Sequence, residues 1–212
     1  MDKLLFVHIP KTAGTSLRLF LESQVGGNVY PDAQELAADG RIYQHWPLFV
    51  AKFRSARLVR GHLPYHQLIT LYSHKPFTMT VLRHPLRRAI SELLHHKRLG
   101  TEGTKALSLD EMVLSHREYY KPQWHYLGAT PDAALANLAQ FDWVGVQEHF
   151  EGGLQQLTRL LGCPMPARPP KVNATPPVEA ALSLKALDAL MEAAHDDFRL
   201  YYVALERFRK DT

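Results

Sequence analysis

The most constraining feature of the chain is a short apolar run that leads through a tight turn into an amphipathic segment. Leu4–Ile9 is apolar and β-prone, which predicts a strand buried in a parallel sheet. Pro10–Thr15 predicts a turn, and Ser16–Gln24 predicts a helix with Thr15 or Ser16 as its N-cap. Because a strand, a turn and a helix in this order begin a βαβ unit, this segment already favours an α/β fold.

The rest of the chain continues the alternation of strands and helices. Further strands are predicted at Arg57–Val59, Phe77–Leu82 and Phe141–Val146, with a short strand near Ile42. Helices are predicted at Leu48–Phe53, Pro64–Leu71, Pro85–Lys97, Ser108–Ser115, Pro131–Ala139, Phe150–Leu161 and Leu184–Arg209, the last broken near His195–Asp197. Loops are predicted at Glu102–Leu107 and Cys163–Pro177. This order predicts a three-layer α/β/α fold with a mainly parallel central sheet and right-handed crossovers.

The composition agrees with a single domain that spans residues 1–212. Apolar residues make up 46% of the chain, enough for a substantial core, and no linker or low-complexity tract divides it. The net charge of +4 suits an anionic ligand, but a charge of this size is also common in proteins that bind none. No basic stripe is interleaved with aromatic residues, so nucleic acid is not an expected partner.

The sequence also carries expectations about the compartment. Cys163 is the single cysteine, so no intramolecular disulfide is expected. No window approaches the roughly 20 apolar residues that a membrane-spanning helix requires. We therefore expect a cytoplasmic protein without a transmembrane segment, and leave peripheral membrane attachment and the oligomeric state open.

His8–Ser16, which we call the first loop, joins the predicted strand to the predicted helix. A helix N-terminus presents unpaired N–H groups and the positive end of a dipole, and therefore binds phosphate. Gly14 allows the backbone to approach an anion closely, and Lys11 adds a positive charge. The spacing differs from a standard P-loop because the lysine precedes the glycine. The first loop is thus predicted to be a P-loop-like phosphate cradle, with a polar turn that binds nothing as the alternative. The candidate contacts are Lys11, Thr12, Ala13, Gly14, Thr15 and Ser16.

Arg83–Ser91, which we call the second motif, follows the predicted strand Phe77–Leu82 and opens a helix. Arg83 falls at the carboxyl end of that strand, at the edge where open α/β sheets bind ligands. Arg83 and Ser91 are therefore candidates for holding a second phosphate, since a guanidinium can donate two parallel hydrogen bonds to phosphate oxygens. A solvated basic helix start is the alternative, and we favour it for Arg87.

Together the two motifs resemble those of a known enzyme family. His8–Leu17 (HIPKTAGTSL) resembles the 5′-phosphosulfate loop of sulfotransferases that use 3′-phosphoadenosine 5′-phosphosulfate (PAPS). The likeness is greatest to the carbohydrate branch, such as heparan sulfate 2-O-sulfotransferase and its bacterial relatives. Arg83–Ser91 (RHPLRRAIS) resembles the 3′-phosphate motif of the same family at the expected spacing. The resemblance implies a P-loop NTPase-like fold.

Four shorter segments resemble the same family in the same order. They are Arg60–His62 (RGH), Gln123–Leu127 (QWHYL), Val144–Phe150 (VGVQEHF) and Lys171–Asn173 (KVN), the last resembling a loop that closes over the nucleotide. His84 departs from the pattern, because the family often has Asp or Asn there. The chain is also shorter than the Golgi enzymes of the family and lacks their membrane anchor, which leaves the acceptor and the compartment open.

The resemblance implies transfer of a sulfuryl group from PAPS to an acceptor hydroxyl, on a glycan or a small molecule. Adenosine 3′,5′-bisphosphate would be the product, and no metal would be required. Lys11 would stabilise the leaving oxygen, and backbone N–H groups of the first loop would hold the 5′-phosphate. Arg83 and Ser91 would hold the 3′-phosphate, and Lys171 and Asn173 would close over the nucleotide.

His62 is the predicted catalytic base. It follows the end of a predicted strand, and the family carries a catalytic histidine after a glycine at this point. A histidine of ordinary pKa suits proton abstraction near neutral pH. A surface or packing histidine is the alternative for His62. His66 is the second candidate for the base, and His8, within the strand, is predicted to be structural.

Two other functions remain open at this stage. A nucleotide kinase of the same fold would need a Walker-type lysine next to serine or threonine, and an acidic Mg²⁺ ligand at a strand end; neither is well placed. A non-catalytic nucleotide- or polyanion-binding protein would bind the donor without turnover. Histidine pairs such as His95 and His96 lack further ligands at metal-binding spacing, so no metal site is predicted.

Overall fold

The computed structural model describes residues 3–30, 46–116, 119–166 and 182–210. These residues form one five-stranded sheet and the helices that pack on it. All of its strand pairs are parallel, and the spatial order is β2-β3-β1-β4-β5. The strands are β1 (Leu4–Val7), β2 (Val29–Tyr30), β3 (Leu58–Gly61), β4 (Phe77–Leu82) and β5 (Trp143–Val146). The predicted α/β class with a mainly parallel sheet is confirmed.

Helices connect these strands and cover both faces of the sheet. The described α-helices are α1 (Gly14–Val25), α2 (Trp46–Ser55), α3 (Tyr65–Leu68), α4 (Pro85–Leu99), α5 (Leu109–Ser115), α6 (Trp124–Leu127), α7 (Pro131–Leu138), α8 (Phe150–Leu161), α9 (Leu184–Ala193) and α10 (His195–Lys210). Short 3-10 turns cover Ile69–Leu71, Thr101–Ala106 and Gln147–His149. Among the described residues, no helix combines the length and apolarity needed to cross a membrane.

The alternation of side chains along β1 explains the three layers. Leu4 and Phe6 point into one core cluster with α1 and α8, whereas Leu5 and Val7 point into another with α2, α3, α7 and α10. Because successive strand residues face opposite sides, a strand covered on both faces must be apolar throughout. The continuous apolar run in the sequence therefore indicates a central strand. Helices pack on both faces of the sheet, so the layers are α/β/α.

The order of the strands determines where the first loop and the second motif meet. β1 lies between β3 and β4, with Val7 in register with Gly61 on one side and Thr80 on the other. The chain leaves β1 to build β2 and β3 on one side, and then crosses to β4 on the other. The strand order switches between β1 and β4, and the usual ligand position in such sheets lies beyond the carboxyl ends of the strands at the switch.

A third core cluster supports the second motif from outside the sheet. Its members come from α4, α5 and α9, with Tyr120 beside them. The residues include Ala89, Leu93, Met112, Val113 and Leu190, all of which are buried. The helix that carries the second motif is therefore packed against α5 and α9.

Several predicted elements coincide with the structure, and others need correction. Phe77–Leu82 and Phe150–Leu161 are confirmed as β4 and α8, and the predicted break in the last helix lies between α9 and α10. The prediction of a loop at Glu102–Leu107 is wrong, because Thr101–Ala106 is a 3-10 turn stabilised by the Thr104 hydroxyl, which donates to His96 O at 3.1 Å. β2 and α6 were not predicted, and the strand expected near Ile42 lies outside the described residues.

Candidate functional site

The backbone of the first loop is strained at two positions. Lys11 has φ 67° and Ala13 has φ 65°, and within the described ranges no other non-glycine residue has a positive φ. The left-handed conformation costs such residues roughly 1–2 kcal/mol each, and it persists where the surrounding structure enforces it. Successive backbone N–H groups in a loop of this kind form a concave nest that suits an anion.

The first loop ends in a helix N-terminus that has no side-chain cap. Ala13 occupies the N-cap position of α1 and makes no side-chain cap hydrogen bond. The prediction that Thr15 or Ser16 caps the helix is wrong, because α1 begins at Gly14 and both residues lie in its first turn. Ser16 N donates to Ala13 O at 3.0 Å, and the start of α1 has no side-chain cap, which makes its first N–H groups candidate donors to an anion.

Three side chains hold the strained backbone in place. Thr12, which is fully buried, donates its hydroxyl to Ile9 O at 2.8 Å, across the turn itself. From the second motif, Arg83 Nη1 donates to Lys11 O at 3.0 Å and Arg88 Nε donates to Pro10 O at 3.1 Å. The two motifs are thus physically joined, and the Thr12 hydroxyl is committed to Ile9 O instead of to an anion.

Arg88 is a buried support for the loop. Its side chain has no exposure, and its Nη2 lies 2.8 Å from Glu92 Oε2 in an ion pair one turn along α4. The guanidinium also stands over the rings of Tyr120 and Tyr126, 5.4 and 6.0 Å from their centroids. Desolvation raises the pKa of the Glu92 carboxyl, and the nearby Arg88 charge opposes that rise. Tyr120 and Tyr126 are themselves buried and belong to the core.

Lys11 and Ser91 are two further predicted contacts of the donor. Lys11 is half-buried, and desolvation lowers its pKa, as do Arg98 and Arg83, while Glu92 acts in the opposite direction. A lysine stripped of part of its hydration interacts more strongly with an anion than a surface lysine does. Ser91 lies on α4 one turn beyond Arg88, and only 3% of it is exposed. Its predicted contact with a 3′-phosphate remains a prediction.

Gly14 is required by the position of the His8 ring. A Cβ at residue 14 would lie 2.0 Å from both Cδ2 and Nε2 of His8, which is far inside van der Waals contact. The His8 ring is held there by stacking on Phe6, with centroids 5.2 Å apart, and by the His62 ring at 4.6 Å. Burial lowers the pKa of His8 well below its ordinary value. His8 thus closes one wall of the first loop as a neutral ring.

His62 lies beside the first loop because β1 and β3 are neighbours. His8 N donates to Gly61 O at 2.9 Å, and His62 Nδ1 is 2.6 Å from His8 O. Since a carbonyl oxygen only accepts, Nδ1 carries the proton and Nε2 of the neutral ring is free of it. The residue is exposed on one side, yet the protein packed around its ring lowers its pKa, with the hydrogen bond to His8 opposing.

His66, the second candidate for the base, is less well oriented. It lies on α3, and its Nδ1 is buried with no hydrogen-bond partner in the described part of the chain. The contact that determines the tautomer of His62 therefore has no counterpart at Nδ1 of His66. His62, unlike His66, is thus a histidine whose Nδ1 hydrogen bond fixes its tautomer.

Two of the shorter segments supply side chains that hydrogen-bond to the backbone of the second motif. The Gln123 side chain accepts from Arg83 N at 3.0 Å and donates to Arg83 O at 2.9 Å. Glu148 Oε1 accepts from His84 N at 3.1 Å, and the Tyr201 hydroxyl donates to Glu148 Oε2 at 3.4 Å. In the sequence, Gln123 and Glu148 stand out only as members of short segments that resemble the family. Asp197, which anchors the Gln123 segment, gave no sequence signal at all.

Lys171 and Asn173 lie outside the described residues, so their predicted contact with the nucleotide is still a prediction. Within the described ranges, no group of three or more His, Cys, Asp or Glu side chains is arranged to hold a metal ion. No protein-family model matches the chain, and no curated protein sequence matches it. Its function is therefore inferred from its own residues.

Proposed function

We propose that this protein is a PAPS-dependent sulfotransferase that transfers a sulfuryl group to an acceptor hydroxyl. The observation that supports it best is the junction of the two motifs at the carboxyl edge of the sheet. There the strained first loop is bound by Arg83 and Arg88 of the second motif through Lys11 O and Pro10 O. A donor with phosphates at both its 5′ and 3′ positions would occupy both motifs at once.

The strand order supports the proposal that the fold is P-loop-like. The first loop follows a central strand, β1, and the second motif follows its neighbour β4, on the other side of the switch in strand order. The left-handed Lys11 and Ala13 turn the loop into a nest at the start of α1. In the proposed complex, N–H groups of Gly14, Thr15 and Ser16 hold the 5′-phosphate.

The proposed reaction is an in-line displacement at sulfur. The acceptor oxygen forms a bond to sulfur while the bond from sulfur to the bridging oxygen breaks, and the electron pair stays on the 5′-phosphate of adenosine 3′,5′-bisphosphate. Lys11 stabilises that developing charge, and its reduced hydration strengthens the interaction. Arg83 and Ser91 hold the 3′-phosphate and thereby orient the donor.

The acceptor proton passes to His62 in this proposal. Its Nδ1 is committed to His8 O at 2.6 Å, so Nε2 is the nitrogen that accepts the proton. A lowered pKa leaves the ring neutral, and so able to act as a base, at neutral pH. His8 keeps its own neutral ring against Gly14 and supplies the carbonyl that orients the base.

Ligand-dependent thermal stabilisation tests the donor assignment. Adenosine 3′,5′-bisphosphate should raise the melting temperature without magnesium, and far more than ADP or ATP do, because only the bisphosphate reaches the second motif. Equal protection by ADP contradicts the 3′-phosphate assignment, and protection by ATP that depends on magnesium supports a kinase instead.

Turnover distinguishes an enzyme from a binding protein. The protein is incubated with radiolabelled PAPS and a panel of glycan and small-molecule hydroxyl acceptors, and labelled product is separated from the donor. Transfer to any acceptor that depends on Lys11 supports the proposal. Tight binding of the bisphosphate with no transfer across the panel supports the non-catalytic alternative.

A further inference from the structure

A buried carboxylate anchors the segment between α5 and α6. Asp197, at the start of α10, is fully buried, and its Oδ2 accepts from the Tyr120 hydroxyl at 2.6 Å and from Gln123 N at 2.8 Å. Its Oδ1 accepts from Trp124 N at 3.0 Å. A buried charge is tolerated when it is fully hydrogen-bonded, and such an arrangement has one well-defined geometry. Asp197 therefore determines the position of the Gln123 backbone.

The Gln123 side chain passes that geometry on to Arg83. It has no exposure, and its amide pairs with both backbone groups of Arg83, accepting from N at 3.0 Å and donating to O at 2.9 Å. Arg83 is the residue that follows β4, just before α4 begins at Pro85. Two hydrogen bonds from one rigid amide restrain both peptide planes that flank the Arg83 Cα. The direction in which the Arg83 side chain leaves the backbone is thereby determined.

We propose that Gln123 and Asp197 are positioning residues that hold Arg83 in the orientation needed for the 3′-phosphate of the donor. The assignment of Arg83 to that phosphate rests on the proposed function. The chain of contacts runs from Asp197 through Gln123 to the Arg83 backbone, and then from the Arg83 guanidinium to Lys11 O at 3.0 Å. The last helix of the fold is thus connected to the first loop.

The amide of Gln123 is suited to this role in a way that other side chains are not. It carries a donor and an acceptor on one planar, uncharged group, which matches the N–H and C=O of a single residue. In Gln123→Glu the second oxygen would face Arg83 O across 2.9 Å, and two acceptors at that distance repel. The substitution preserves the shape of the side chain and keeps the hydrogen bond from Arg83 N, but it replaces the one to Arg83 O by a repulsion.

The test compares two ligands that differ by the 3′-phosphate. Dissociation constants for adenosine 3′,5′-bisphosphate and adenosine 5′-monophosphate are measured by calorimetry on the full chain and on Gln123→Glu. We expect the preference for the bisphosphate to fall about tenfold in the variant, since a charge-assisted contact is misaligned, while the monophosphate constant changes much less. The matched control is Gln156→Glu on α8, another buried glutamine, whose Nε2 donates to Phe208 O at 3.3 Å.

Each outcome decides a separate question. A wild-type protein that shows no preference for the bisphosphate overturns the proposed function, whatever the variant does. A wild-type preference that Gln123→Glu retains, or equal weakening of both ligands, overturns the positioning role. Gln123→Met and Tyr120→Phe introduce no charge, and the same ratio is measured on both, so that a poorly folded glutamate variant does not prevent a decision. Tyr120→Phe removes one hydrogen bond to Asp197 and should lower the ratio about two- to threefold.

Discussion

Basic side chains cluster at both ends of the parallel strands, but their contacts differ. We call the end where the strands begin the amino edge and the end where they finish the carboxyl edge. At the amino edge Lys3, Arg54, His74 and Lys75 line a cavity of about 820 Å³. Lys3 Nζ donates to Arg54 O at 2.5 Å and Ala56 O at 2.7 Å, and Lys75 Nζ pairs with Asp142 Oδ1 at 2.8 Å. Lys3, which is partly buried, thus satisfies carbonyls at the end of α2, and the exposed Lys75 pairs with a carboxylate; both are common structural contacts of lysine.

At the carboxyl edge the cations act on a strained backbone. Arg83 and Arg88 donate to the carbonyls of Lys11 and Pro10, and Lys11 itself adopts the left-handed conformation. Lys11 is partly buried, whereas Lys75 is an exposed residue whose side chain keeps 47% of its accessible surface. Positive charge is common to the two edges, so charge alone does not identify the site. Strain, an uncapped helix start and reduced hydration distinguish the carboxyl edge.

Replacing Lys11 should have the largest effect on this comparison. In Lys11→Ala, kcat for sulfuryl transfer is expected to fall about a thousandfold, because one stabilising charge is lost at the leaving oxygen. The measurement is the initial rate with radiolabelled PAPS at saturating donor. Lys75→Ala is the matched lysine at the amino edge and should keep its rate within about twofold. If Lys11→Ala retains the wild-type rate, the lysine does not act on the leaving group.

Replacing His62 should have the next largest effect. His62→Ala is expected to lower kcat about a hundredfold, since a general base is removed. The base acts when it is unprotonated, and burial lowers its pKa below the ordinary 6.5. The wild-type kcat/KM should therefore rise with pH and level off, with a midpoint below 6.5, and this acid limb should disappear in the variant.

Histidine controls separate these explanations of the pH profile. His74→Ala, an exposed histidine of the amino edge, should retain both the rate and the acid limb. His66→Ala removes the second candidate for the base. A profile that loses its acid limb in His66→Ala and keeps it in His62→Ala would transfer the base assignment to His66.

Gly14→Ala tests the packing of the first loop against His8. The added Cβ would lie 2.0 Å from the His8 ring, which is confined by Phe6 and His62, so we expect the free energy of unfolding to fall by about 2 kcal/mol. Denaturant unfolding measures this change. Gly153→Ala on α8 is the control, because its nearest neighbouring atom is at 3.4 Å, an ordinary contact. The double substitution His8→Ala with Gly14→Ala should recover most of the loss; if it does not, the clash is not its cause.

The sequence predicted the main features of the fold because they depend on local pattern. The continuous apolar run at β1 and the alternating residues of Phe77–Leu82 are both local patterns typical of strands, and Ser108 and Glu111 form a complete capping box at the start of α5. β2 escaped prediction because two residues have no periodicity, and they are strand only through pairing with β3. The N-cap of α1 was missed because a left-handed Ala13 has no signature in the sequence.

The candidate site was predictable in its residue types but not in its supports. Lys11, Gly14 and Arg83 stand out by spacing, whereas the reason for Gly14 is the His8 ring, which only the pairing of β1 with β3 brings to that point. Gln123 and Asp197 are far apart in sequence, and a single buried aspartate resembles any other acidic residue of a helix start. Long-range contacts of this kind depend on tertiary packing and leave no local pattern.

The smallest expected effect comes from the ion pair of the amino edge. Lys75 and Asp142 are 2.8 Å apart, the same separation as Arg88 and Glu92, but their side chains are 47% and 31% exposed instead of 0% and 8%. Lys75→Ala should therefore lower the free energy of unfolding by less than about 1 kcal/mol, and by still less at high salt, where exposed charges are screened. Denaturant unfolding at two salt concentrations measures both quantities. A loss of several kcal/mol would show that the amino edge, too, relies on its cations, and exposure would then not separate the two edges.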